Sequence, residues 1–174
     1  MLPDIFQLIK KLDSLDYVVE EELATILLLM LKLKKPLLLE GPPGVGKTEA
    51  SQIIASYLNT KLIRLQCYEG LDVNSAVYEW NYQKQLLSIK LTESSALSSA
   101  EKESHIFGDE FLLKRPLLQA ITESDKAPVL LIDEIDRADE EFEAFLLELL
   151  SAYQISIPEM GTIKANHIPI VVLT

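Results

Sequence analysis

A chain of 174 residues with 48% hydrophobic and 25% charged side chains is long enough for one globular domain with a buried core. Its 16 Lys and Arg stand against 27 Asp and Glu, a net charge of −11, which repels phosphate backbones and argues against nucleic acid as a partner. The single cysteine, Cys67, excludes a disulfide framework and a thiolate zinc site.

The opening residues, Met1-Leu-Pro-Asp-Ile-Phe, lack the charged start and apolar run of a secretory signal. Residues 1–35 read as a helical segment, with Leu23, Ile26, Leu27, Met30 and Leu31 at helical spacing within Glu20–Lys34. Its most apolar stretch, Leu23–Leu33, is interrupted by Lys32 and closed by Lys34 and Lys35. It is too short for ~30 Å of hydrocarbon, so no membrane insertion is expected and the cytoplasm is the expected location. Pro36 stops the helix, and Leu37-Leu38-Leu39 has the apolar character of a buried strand.

Thr48–Leu58 reads as a helix and Lys61–Gln66 as a strand. Asp72–Leu91 fits one helix through Val73, Val77, Trp80, Leu87 and Leu91. Residues 92–104, rich in Ser, Ala and Glu, read as a mobile loop. Pro116 suits a first helical position, and Val129–Ile132 is a second apolar strand. Asp139–Ala152 is amphipathic, with Phe142, Phe145, Leu146, Leu149 and Leu150 on one face. Residues 154–165 flank Gly161 as a β-hairpin, and Ile168–Leu173 is a final strand. Buried strands separated by helices imply a parallel sheet covered on both faces, a three-layer α/β domain over residues 1–174.

Gly41-Pro42-Pro43-Gly44-Val45-Gly46-Lys47-Thr48 matches the phosphate-binding loop and lies between a strand and a helix, as its mechanism requires. Its glycines permit conformations that aim several N–H groups at one anion, and the following helix adds its N-terminal partial charge. With ATP or ADP as the ligand, Lys47 is expected on the β-phosphate and, in ATP, the γ-phosphate, with Glu49 in the adjoining helical turn and the Thr48 hydroxyl on Mg²⁺. Val129-Leu-Leu-Ile-Asp133-Glu134 ends an apolar strand in two carboxylates, which is costly unless they meet a cation or water. Asp133 is the expected Mg²⁺ ligand, and Glu134 the expected catalytic group that orients water beside Lys47. The plainer reading makes both part of an acid-rich helix start. From Asp133 to Glu148 there are eight carboxylates and one base, Arg137, most simply a solvated acidic face. His105 and His167 have no metal-ligand spacing.

With both motifs placed, the chain resembles AAA+ ATPases of the MoxR family. Pro42 and Pro43 in the loop look like that class rather than a kinase or small GTPase. The run Leu130–Ala165 resembles the family's Walker B strand, helix and hairpin, with Asp136 where Asn is more usual. Gln66–Asp72 and Tyr78–Tyr82 look closest to the CoxD-like branch. The resemblance implies a P-loop sheet in the order 5-1-4-3-2 and a homo-oligomeric ring, a hexamer, that uses ATP to remodel a client protein, for instance in metalloenzyme maturation. It also implies that Gln66 contacts the catalytic glutamate, the alternative being an ordinary strand-end amide. Tyr17-Val18-Val19 resembles the segment that lines the adenine, the alternative being core packing. Arg137 faces either a neighbouring subunit or the acids around it. The family's sensor 1, arginine finger, sensor-2 arginine and helical lid would follow Thr174, where the sequence stops. The resemblance therefore implies a lidless domain that keeps phosphate and Mg²⁺ binding while turnover falls. Two rival readings are a nucleotide-binding module without turnover and a DNA-directed AAA+ factor, for which the chain offers no basic cluster beyond Lys32–Lys35.

Overall fold

The computed structural model describes residues 4–92 and 98–174. Helix α1 (Ile5–Asp13) starts where the Asp4 carboxylate accepts from the Gln7 N–H at 2.8 Å, satisfying one of the helix's orphan donors. It buries Leu8 and Leu12 on α2 (Glu21–Leu33), which ends at left-handed Lys34. Strand β1 (Leu37–Leu38) and helix α3 (Lys47–Leu58) follow, then strand β2 (Leu62–Gln66). After α4 (Val73–Val77), β3 (Tyr78–Trp80), α5 (Tyr82–Thr92) and α6 (Ser99–Ile106), the chain forms β4 (Leu112–Lys114) and α7 (Pro116–Thr122). Strand β5 (Val129–Asp133), helix α8 (Glu140–Ala152), the hairpin β6 (Gln154–Ile157) with β7 (Gly161–Lys164), and β8 (Ile170–Leu173) complete it.

The main sheet is parallel in the order β1-β8-β5-β2. Numbered by their place in the chain, these four strands run 1-4-3-2, the corresponding part of the expected order. Strand β5 lies between two neighbours and is buried along its whole length. Successive strand side chains point to opposite faces. Leu130 and Ile132 accordingly enter a core with α4, α7, α8 and the hairpin, while Val129 and Leu131 enter one with α1, α2 and α3. These two cores make the three layers, with α3 and its preceding loop on the second.

Two stretches depart from the sequence reading. Asp72–Leu91 is not one helix, because Tyr78–Trp80 leaves α4 to pair antiparallel with β4. Trp80 packs edge-on to Phe107 at 5.2 Å and to Tyr78 at 6.1 Å, contacts that outweigh a helical pattern. Asn81 then caps α5, accepting from the Lys84 N–H at 3.0 Å. Leu87 and Leu91, expected on a buried face, are 59% and 75% exposed; α5 is held instead by Gln85, whose amide donates to the Ile106 carbonyl at 2.7 Å. The loop expected over 92–104 is helical in its latter part. Ser98 and Glu101 form a reciprocal capping box that starts α6, and residues 93–97 of that expected loop lie outside the described residues.

Phe142 is 1% exposed and pins α8 to the sheet. Phe142→Ala should cost about 3–5 kcal/mol, read by denaturant unfolding; a loss below about 1 kcal/mol would mean that α8 carries little of the core.

Candidate functional site

Between β1 and α3 the chain turns through Gly44 and Gly46, at φ of 85° and 88°, a region that glycine enters without penalty. A Cβ on Gly44 would meet nothing within 4 Å, so its constraint is backbone conformation and the space before it is open. Gly46 is the N-cap of α3 and brings no side-chain cap, leaving the first helical N–H groups to the cavity. Lys47 folds back over the loop, its Nζ donating to the carbonyls of Gly41 at 2.6 Å and Pro42 at 3.1 Å.

Asp133 ends β5 at 5% exposure. Its Oδ2 accepts from Arg64 Nη2 at 2.5 Å and from the Thr48 hydroxyl at 3.4 Å. Its Oδ1 accepts a short hydrogen bond from the Thr174 hydroxyl. Burial pushes the carboxyl's pKa up, but Thr174, Arg64 and Thr48 together bring it below the ordinary aspartate value. Cys67 reports the same field. Its thiol is pushed up to about 11 by burial and by the charges of Asp133, Asp136 and Glu134.

Glu134 is left-handed at φ 56°, an uncommon state for a residue with a Cβ. The turn takes its side chain off the strand, where Oε2 meets Arg137 Nε at 2.9 Å. Its N–H donates to the Thr174 hydroxyl at 3.3 Å, and Ile135 N–H to the Thr174 carbonyl at 2.9 Å. Thr174 thereby ties the ends of β5 and β8 together.

These groups surround one cavity of about 860 Å³. Of the residues singled out in the sequence, Gly41, Pro43, Gly44, Gly46, Lys47, Thr48, Glu49, Asp133 and Glu134 line it. Pro42 and Val45 belong to the loop without lining the cavity; Pro42 contributes its carbonyl to Lys47 and Val45 is 58% exposed. Val18 is 89% exposed and Val19 packs with the α1–α3 core, so neither lines the cavity. Gln66 stands one step away, accepting from Arg64 Nη2 at 2.6 Å and donating to the Cys67 carbonyl at 3.4 Å. Arg137 pairs locally with Glu134, the second of the two arrangements open to it. Arg64 and Thr174 were not singled out. Their signals were slight, a cation two places before Gln66 on a strand that alternates, and a hydroxyl after an apolar strand.

A carboxyl held below its unfolded pKa of about 3.9 stabilises the fold above that pH, and the contribution is lost as pH falls through the folded value. Asp133→Asn should therefore flatten part of the stability loss between pH 5 and pH 2.5, measured by urea unfolding. Parallel curves for the two proteins would remove this carboxylate from the acid sensitivity.

Residues 36–169 match a family model described as AAA domain (dynein-related subfamily). No curated protein matches the chain. Among solved structures, a point mutant of RuvB from Thermotoga maritima aligns with a TM-score of 0.48 and 21% identity, over 93% of this chain and 40% of that one. The chain thus spans well under half of that protein's length. The family match runs from the residue before β1 to the one before β8 and takes in both the glycine loop and the Asp133–Glu134 turn. The chain belongs to the dynein-related subfamily of AAA domains.

Proposed function

We propose that the cavity binds ATP as its magnesium complex and that, within an assembled ring, hydrolysis there drives remodelling of a client protein. The observation that carries the reading is the approach, to 3.4 Å, of the Thr48 hydroxyl and the Asp133 carboxylate, 85 positions apart in the chain. Both are hard oxygen donors, and Mg²⁺ sites are commonly completed by one or two carboxylates, phosphate oxygens and water. Among the described residues no group of three or more His, Cys, Asp or Glu offers an all-protein cage, which suits that division.

The backbone N–H groups of Gly44–Thr48 and the positive end of α3 would hold phosphate oxygens. Lys47 Nζ would exchange the Gly41 and Pro42 carbonyls for the phosphates. Thr48 and Asp133 would hold the metal. The bound nucleotide supplies the phosphoryl group and the metal supplies positive charge against its oxygens. Glu134, with a side chain 47% exposed at the rim, would accept the hydrogen bond of the attacking water and orient it. Arg137 must share or release Oε2 for this. Gln66 stands beside the same edge of the sheet. A place for Val18 and Val19 beside the adenine rests on the resemblance of Tyr17–Val19 to the family's adenine-lining segment.

The larger role rests on the run Leu130–Ala165, with its Walker B strand, helix and hairpin. It supports a MoxR-type chaperone working as a hexameric ring, with metalloenzyme maturation as one such task.

Lys47→Ala should raise the Kd for ATP at least about 100-fold and that for ADP at least about tenfold, since each charge-assisted contact is worth about 1.5–3 kcal/mol and Lys47 has two phosphates to meet in ATP but one in ADP. The unfolding transition should stay in place. Equal affinity by titration calorimetry would sink the assignment. Glu134→Gln should keep MgATP affinity within about threefold, because Thr48 and Asp133 remain, while Asp133→Asn should raise the Mg²⁺ concentration needed for binding. If both substitutions lower MgATP affinity alike, the division of roles between the two carboxylates is wrong.

A further inference from the structure

We propose that Arg64 is a positioning residue of the metal site, a built-in counter-ion that holds the Asp133 carboxylate and competes with Mg²⁺ for the oxygen it shares with Thr48. The inference rests on the reading of the cavity as a MgATP site. Its starting observation is that Arg64 Nη2 and the Thr48 hydroxyl approach one atom, Asp133 Oδ2, at 2.5 Å and 3.4 Å. The other oxygen, Oδ1, is already taken by Thr174. A metal held between Thr48 and Asp133 thus meets a guanidinium already in place on Oδ2.

The placement follows from strand geometry. Arg64 pairs with Leu131 in the β2–β5 register, and Gln66 pairs with Asp133. Residues two apart share a face of the sheet, so Arg64, Gln66 and Asp133 lie on the α3 side with Leu131. The Arg64 stem is long enough to reach along that face to the carboxylate. Gln66 Oε1 takes the same Nη2 at 2.6 Å and holds it there. Half of the Arg64 side chain is exposed, so it can swing into solvent when a divalent ion arrives.

Charge supplies the reason for such a group. Five side-chain carboxylates line the cavity (Glu40, Glu49, Asp133, Glu134 and Asp136) against three side-chain cations, Lys47, Arg64 and Arg137, a side-chain balance of 3 − 5 = −2. Without Arg64 the balance is −3, and the most buried of the carboxylates loses its direct ion pair. That stronger negative field draws a divalent cation and repels a nucleotide that brings no metal. Arg64 therefore has opposite effects on two ligands. It aids metal-free ATP and opposes Mg²⁺.

The test is titration calorimetry of ATP against the 174-residue chain, in EDTA and across a series of Mg²⁺ concentrations. Arg64→Gln should weaken metal-free ATP binding several-fold and lower the Mg²⁺ midpoint for MgATP binding at least threefold. Arg64→Lys keeps the charge and should stay near the unaltered protein in both. Gln66→Ala leaves every charge in place and loosens the guanidinium, so it should move both values the same way as Arg64→Gln, by less. A structural role alone would weaken both kinds of binding together, and that outcome, or two unshifted values, overturns the proposal. Should the unaltered chain bind no ATP with Mg²⁺, the reading of the cavity fails and this inference with it. Intact Mg²⁺-dependent binding with an unmoved midpoint removes only the role of Arg64.

Discussion

A carboxylate buried at the end of an apolar strand is the constraint around which the site is arranged. Asp133 is 5% exposed, and an unpaired charge in that position costs several kcal/mol, about what half a small domain's stability amounts to. The charge is kept because three separate pieces of chain meet it: the head of α3 through Thr48, the middle of β2 through Arg64, and the end of β8 through Thr174. Each belongs to an element that packs beside β5 for other reasons. The carboxylate therefore depends on the sheet order β1-β8-β5-β2, and a change of neighbour on either side of β5 would remove one of its partners.

The glycine loop depends on the same order. Strand β1 has β8 as its neighbour, with Leu37 opposite Val172 and Leu38 opposite Leu173. Two residues of strand are a slight anchor, but the Leu39 N–H also donates to the Leu173 carbonyl at 2.9 Å. The loop thus leaves the sheet beside the point where Thr174 meets Asp133. From the other end, α3 buries Ile54 and Ala55 on the face of β5 that presents Val129 and Leu131. With both ends fixed to rigid elements, Gly44 and Gly46 can hold left-handed conformations that no packing of their own would maintain.

What could be read from the residues separates by range. The loop at Gly41–Thr48, the strand into Asp133 and the helix carrying Phe142 and Leu146 were legible because each signal is local: a fixed spacing, an apolar run, a helical period. Strand β3 was not, since Tyr78–Trp80 becomes a strand only by pairing with β4, more than 30 positions away. The start of α6 was legible and was passed over. Ser98 and Glu101 stand at capping-box spacing, but a composition rich in Ser and Glu pointed to a loop. Arg64 and Thr174 belong to a third kind. Their local signals are slight, because their role follows from the registers of β2 and β8 on β5. A residue-by-residue reading has no access to register between distant parallel strands.

Register also separates the two arginines at the site, which would look interchangeable in a list of charges. Arg137 comes three residues after Glu134 and pairs with it in a turn open to water, its side chain 62% exposed. Exposed pairs of this kind contribute little, about 0–1 kcal/mol, so Glu134 can leave Arg137 for another partner at small cost. Arg64 instead meets a carboxylate whose side chain is 7% exposed, where water cannot replace a departing cation so easily. The pair on the buried carboxylate therefore resists exchange for anything but another cation, while the exposed one yields to a neutral partner. That difference is in keeping with the separate tasks proposed for the two carboxylates, Asp133 trading one positive charge for another and Glu134 taking hold of a water.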